Sequence, residues 1–162
     1  MENEHIINRL NAHHAHHIIA IDSNSDMLSI TIQKNAVHDI LSFMKNTMGF
    51  SFLTTLCGIH YPEQELQLGV VYHLHNLTEN NRIRLKAYLP IDEPKIDSCV
   101  DIFSAANWME REAYDFYGIE FINHPNLMRI LNVECMNYFP MRKEYPLEDA
   151  TRTDKDDKFF GR

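Results

Sequence analysis

The sequence predicts an α+β domain: a mostly antiparallel or mixed sheet with helices packed on one face, then a helical segment and an extended C-terminal tail. Three observations predict it. Apolar patterning runs helix, two strands, helix, three strands, an order that puts helices against an antiparallel sheet. The tetrad Thr78-Glu79-Asn80-Asn81 lies between two strand-like runs and marks a hairpin. Beyond Phe139 no hydrophobic period remains, and Pro125, Pro140, Pro146 and the polar run TRTDKDDK indicate extended or unstructured chain.

Residues Glu4 to Asn11 form the first predicted helix, with Ile6, Ile7 and Leu10 on one side. His17 to Asp22 and Met27 to Gln33 read as strands joined by the turn-forming Ser23-Asn24-Ser25-Asp26. Asn35 is placed to cap a helix carrying Val37, Ile40, Leu41, Met44 and Met48, which Gly49 ends. Phe50 to Ile59 and Leu66 to Leu77 are further strands. In Arg82 to Leu89, Ile83, Leu85 and Ala87 alternate with Arg84, Lys86 and Tyr88, as in a half-solvated strand. Pro90 and Pro94 close the sheet, and a helical stretch from about Asp97 to Tyr117 ends at Gly118, where a left-handed residue suits the helix terminus.

Bulk properties narrow the function. A chain of 162 residues is one domain, and its 44% hydrophobic and 23% charged content is that of a soluble globular protein. No run approaches the ~18 apolar residues of a membrane helix. The acidic start MENEHIINRL does not read as a signal peptide, so the chain is expected to stay in the compartment that made it. The net charge of −8 sits in residues 1–139, with 9 Lys/Arg against 17 Asp/Glu, and argues against nucleic acid and anionic lipid as partners. Residues 140–162 balance 6 against 6. Cys57, Cys99 and Cys135 are scattered and odd in number, which suggests free thiols in a reducing compartment.

Candidate chemistry is sparse. Glu110 and Glu112 resemble a carboxylate pair, yet two helical positions point ~200° apart and cannot converge on one substrate. Arg111 and Asp115 can pair at i,i+4, whereas Glu112 and Asp115 repel at i,i+3 and call for a cation from outside. Trp108, Tyr114, Phe116 and Tyr117 exceed one buried stripe, so some should face a partner. His124, before Pro125, reads as a turn histidine bonded to backbone. The tract His13-His14-Ala15-His16-His17 lacks ligands to complete a metal shell and reads as accidental. Arg142 and Lys143 are either solvated or anchored to acidic groups on a partner. No phosphate loop, nucleophile elbow, zinc motif or dinucleotide fingerprint occurs, and no cofactor is expected in this chain.

One stretch goes further. Ala105 to Leu131, AANWMEREAYDFYGIEFINHPNLMRIL, carries Glu-Arg-Glu, Tyr-Asp, an aromatic pair, Gly-Ile and His-Pro-Asn-Leu before Arg129-Ile130-Leu131. With Pro140-Met141-Arg142-Lys143-Glu144-Tyr145-Pro146-Leu147 downstream, it resembles the signature of the 30 kDa subunit family of NADH:quinone oxidoreductase, respiratory complex I. The resemblance covers about Phe52 to Leu147. It departs at Asn123, where the family has glycine, and asparagine tolerates left-handed backbone.

The resemblance implies a cofactor-free peripheral-arm subunit. It would pack on the large quinone-site subunit of the hydrophilic arm and on the adjacent cluster-bearing subunit. Flavin and iron–sulfur clusters would lie in the partners, with NADH and quinone as substrates of the whole translocase. Contact with the membrane, on the cytoplasmic side, would be through the complex alone. Partner-facing residues would be Trp108, Glu110, Arg111, Glu112, Tyr114, Asp115, His124, Pro125, Arg129, Arg142, Lys143 and Tyr145. Residues 1–121 would form the compact domain and 122–162 the partner-binding segment. The equivalent subunit of a membrane-bound hydrogenase or ferredoxin-dependent quinone reductase, and a freestanding protein-binding module, remain as other readings.

Overall fold

The computed structural model describes residues 3–23 and 27–145. Helix α1 (Asn3–His14) is followed by strands β1 (Ile18–Asp22) and β2 (Leu28–Ile32), helix α2 (Val37–Asn46), and strands β3 (Phe52–His60), β4 (Leu68–Asn76) and β5 (Asn81–Leu89). A short strand β6 (Lys95–Asp97), helix α3 (Ala106–Tyr117) and strand β7 (Glu120–Ile122) complete it. The sequence-based order holds. Most of the Ser23–Asp26 turn lies outside the described residues.

Five strands form one sheet in the order β1-β2-β5-β4-β3. Three neighbouring pairs are antiparallel, but β2 runs parallel to β5, with Leu28 opposite Ile83 and Ile32 opposite Ala87. The sheet is therefore mixed. The pairing follows from α2 and the β3–β4 hairpin intervening between β2 and β5, a connection long enough to return a strand in parallel.

Alternation decides which side is inside. Leu28, Ile30 and Ile32 of β2, Val70, Tyr72 and Leu74 of β4, and Ile83, Leu85, Ala87 and Leu89 of β5 point to one face and are buried. Ile6 and Leu10 of α1 and Val37, Ile40, Leu41 and Met44 of α2 join the same core. Glycines shape two junctions. Gly49 turns the chain with φ +76°, and a Cβ on Gly58 would collide with the Tyr117 ring, so its absence lets α3 close onto β3. Asn80 in the hairpin adopts a left-handed φ of 50°.

Two expectations need correction. Asn35 does not cap α2: it sits inside a 3-10 turn, Lys34–Ala36, and Ala36 precedes the helix without a side-chain cap. The helix expected from Asp97 begins only at Ala106, because Ser98 to Phe103 is occupied by turns around Glu110. Strand β7 pairs with β6, with Phe121 opposite Ile96, and residues 122–145 fold back over α3.

Candidate partner-binding surface

Helix α3 organises the signature. Gly118 ends it in the left-handed region with φ +74°, its N–H donating to the Tyr114 carbonyl at 2.8 Å. Asn123 also takes a left-handed φ of 66°, the conformation for which asparagine at a glycine position is suited. Between these turns the chain reverses and lays residues 122–145 as a strap along α3.

The strap is fastened by a buried carboxylate and a buried guanidinium. Arg129 donates through Nη1 to Asp115 Oδ1 at 2.9 Å and to the Asp115 carbonyl at 3.0 Å. Its Nη2 donates to the carbonyls of Met136 and Tyr138. Asp115 Oδ2 accepts the N–H groups of Ile130, Leu131 and Asn132 at 3.1, 2.8 and 3.0 Å, and Oδ1 accepts from Asn132 Nδ2. Successive N–H groups on one turn make a concave anion site, here filled by the chain's own carboxylate. Burial pushes the Asp115 carboxyl up, but the strap N–H groups and Arg129 outweigh it and hold it well below the usual carboxylate range.

The Arg111–Asp115 helical pair expected from spacing does not form. Asp115 turns to Arg129, whose Nη1 bonds both its carboxylate and its carbonyl, and Arg111 donates to the carbonyls of Met128 and Arg129 while stacking 4.5 Å from the Trp108 ring centroid. The cation that Glu112 and Asp115 required from outside is thus supplied by Arg129 of the same chain. Glu110, Arg111, Asp115 and Arg129 are all buried. Expected to touch a partner, they are occupied inside the chain.

Glu110 points the other way, toward the β6 end. Its carboxylate accepts from Ser98 Oγ at 2.7 Å and from the Cys99 N–H at 2.8 Å. Burial pushes its pKa above the ordinary 4.5, against these hydrogen bonds. A raised value means the ionised form is disfavoured in the fold. Wild-type stability should therefore fall as pH climbs from about 4.5 through the raised value, and that decline should shrink in Glu110→Gln. Unfolding midpoints of both proteins across this window check it; parallel curves would refute the assignment.

The remaining fasteners join the strap to α3 and β3. His124 Nδ1 accepts the Asn126 N–H, and Nε2 faces the Asn107 carbonyl at 3.0 Å, as a turn histidine should. Arg142 Nε donates to the Tyr117 carbonyl at 2.8 Å. Phe139 lies over Gly118, with the guanidinium groups of Arg129 and Arg142 at 5.0 and 4.8 Å from its ring centroid. The Lys143 N–H donates to Nδ1 of buried His60 at 2.8 Å, pinning the strap to the end of β3. Sequence reasoning passed over His60, Phe139 and Asn132, which meet Lys143, Gly118 and Asp115 from distant parts of the chain.

Large apolar side chains stand among the residues that the strap and α3 expose. Trp108 is 63% exposed and Leu131 69%, with Met128, Val133, Tyr138, Met141 and Tyr145 also exposed. Glu112, Pro125 and Lys143 are exposed beside them, and Tyr114 is half-buried. Among the described residues no group of three or more His, Cys, Asp or Glu is arranged to hold a metal ion. The His13–His17 tract instead packs its first two rings near Phe43, and His17 bonds Gln33.

A family model described as "Respiratory-chain NADH dehydrogenase, 30 Kd subunit" matches residues 30–151. The chain belongs to this 30 kDa subunit family. The C subunit of NADH-quinone oxidoreductase from Citrifermentans bemidjiense is 34% identical over 151 residues, covering 93% of this chain and 94% of that one. Its counterpart from Caulobacter vibrioides is 39% identical over 133 residues, covering 81% and 67%. Among solved structures, the trypsin-resistant fragment of Nqo5 is matched with a TM-score of 0.69 at 27% identity, over 78% of this chain and all of the fragment. A chain of an archaeal membrane-bound sulfane sulfur reductase shares the fold, with a TM-score of 0.79 at 21% identity over 96% of this chain and 97% of that one. No helix among the described residues is long and apolar enough to cross a membrane.

Proposed function

We propose that this member of the 30 kDa family is a peripheral-arm subunit of a proton-translocating NADH:quinone oxidoreductase, with no flavin, cluster or catalytic residue of its own. It orders the large quinone-site subunit, next to the cluster-bearing one, while electrons pass from NADH to quinone through those neighbours. The chain meets the membrane only through the complex, on its cytoplasmic side. The exposed row of Trp108, Met128, Leu131, Val133, Tyr138, Met141 and Tyr145 carries the reading, because a rigid apolar strip of this kind is what a permanent interface buries. Trp108, Glu112, Tyr114, Pro125, Lys143 and Tyr145 face the partner. Glu110, Arg111, Asp115, His124, Arg129 and Arg142 hold the platform in shape. Residues 146–162 of the expected partner-binding segment lie outside the described residues.

Purification of the tagged chain from native membranes tests this. It should co-elute with the quinone-site and cluster-bearing subunits and with NADH–quinone activity, and elution alone from respiring cells would refute the proposal. Removing residues 146–162 should leave circular dichroism and the melting temperature unchanged and abolish assembly. Removing 140–162 should also lower the melting temperature, because it takes the Arg142 and Lys143 contacts away.

A further inference from the structure

The sheet face opposite the helices carries an alternating basic row. Strand β5 presents Arg82, Arg84, Lys86 and Tyr88 there in alternation, and β4 sets His75, His73 and Val71 opposite the first three. Strand β2 adds Ser29 beside Arg84 and Thr31 beside Lys86. Arg84 Nε donates to His73 Nε2 at 3.0 Å, tying the two strands' polar groups together. Asp22 at the β1 edge stands opposite Ser29, and Glu112 of α3 acts on Cys57 at the β3 edge. Arg82 and Lys86 of β5 stand on either side of Arg84 along this face.

The face is graded along the strands. At the Tyr88 end an apolar groove of about 880 Å³ opens between Ile19, Leu66, Tyr88 and Pro90, with Lys34 and Glu65 among its lining residues. Six residues separate Tyr88 from Arg82, which at ~3.3 Å each places the basic end about 20 Å from the groove. A chain of net charge −8 that gathers three cations on one strand face opposes its own field locally.

We propose that this face docks an acidic amphipathic segment of another protein, with an apolar side chain in the groove and carboxylates on Arg82 and Lys86. The overall charge repels extended polyanions, so a patch this small selects a compact acidic partner over nucleic acid or an anionic bilayer. Size supports the same choice. Four inter-strand spacings of ~4.8 Å and a usable strand length of ~25 Å give roughly 500 Å², short of the ~800 Å² per partner of a self-sufficient interface. Such a face suits a segment of a protein already held elsewhere, which makes the inference rest on the subunit reading.

The test uses the complex purified from native membranes. A zero-length carbodiimide joins an amine only to a carboxylate in contact with it, so Lys86 should link to an Asp or Glu of another chain, located by mass spectrometry. The Lys86 amine should also react with an acylating reagent more slowly in the complex than in the isolated chain. R82E together with K86E should weaken retention about tenfold or more, in a salt-dependent manner, while leaving the isolated chain's melting temperature unchanged. Equal Lys86 reactivity in both states would overturn the inference with the subunit reading intact. Links from Lys86 only to this chain's own carboxylates would do the same, as would Lys86 protection that disappears on lipid extraction. Failure of any other chain to co-purify would overturn both.

Discussion

Asp115→Ala is expected to cost about 3–5 kcal/mol, as does removal of one partner from other buried ion pairs. The substitution strands the Arg129 guanidinium without a counter-charge and leaves the N–H groups of Ile130, Leu131 and Asn132 without their acceptor. Against a typical total of about 5–15 kcal/mol, that is a large share of the domain's stability. Arg129→Met should cost less than Asp115→Ala if its carbonyl partners find water, because the carbonyls of Met136 and Tyr138 lie nearer the surface than the Asp115 carboxylate. Urea unfolding gives the total. Amide hydrogen exchange locates it, with residues 130–132 expected to lose protection before β4 and β5 do. The pH dependence has a definite sign. The folded carboxyl is held below the unfolded value of about 3.8, so its stabilisation is complete above that value and is lost as pH falls through the depressed one. The variant should therefore lack this part of the wild-type acid transition. Retention of wild-type stability and of strap protection would show that Asp115 is not the fastener.

Gly118→Ala is expected to cost about 2–4 kcal/mol, from two separable causes. The left-handed φ of +74° penalises any Cβ by roughly 1–2 kcal/mol. That Cβ would also stand 2.5 Å from Phe139 Cε2, and withdrawing the ring would disturb its contacts with the Arg129 and Arg142 guanidinium groups. Gly118→Asn relieves much of the backbone penalty and keeps the collision. Phe139→Ala removes the collision and leaves the backbone as it is. A double-mutant cycle between Gly118→Asn and Phe139→Ala should thus show coupling, whereas strict additivity would mean the close approach is unimportant.

These two sites also show what could be read from the sequence and what could not. Gly118 and the turn at Asn123 were legible because backbone handedness is a property of one residue and its neighbours. The alternation of Ile83, Leu85 and Ala87 with Arg84, Lys86 and Tyr88 was legible for the same reason: one strand's period fixes its two faces. The Asp115–Arg129 pair was not. Local rules offered Arg111 at i,i+4, and the winning partner comes from 14 residues downstream after two left-handed turns. The parallel β2–β5 pairing and the stacking of Phe139 on Gly118 are likewise products of how distant segments meet. The signature's buried charges were singled out for their crowding and turned toward a partner. Spacing shows that charges crowd on a helix, and only the folded strap shows that they are answered from within. The outward surface belongs instead to Trp108 and to aliphatic residues such as Leu131 and Val133, which carry no distinctive spacing.

Helix α3 and its strap form a rigid platform, and its exposed apolar row is proposed to bind partner subunits. The paired substitution Trp108→Ala with Leu131→Asp tests this most directly, since both side chains are largely exposed and contribute little to the isolated fold. Assembly is measured as co-purification of this chain with other subunits from membranes, beside the melting temperature of the isolated variant. The expected result is a melting temperature close to wild type together with loss of co-purification and of membrane NADH–quinone activity. A variant that folds normally and still assembles and supports activity as wild type does would contradict it.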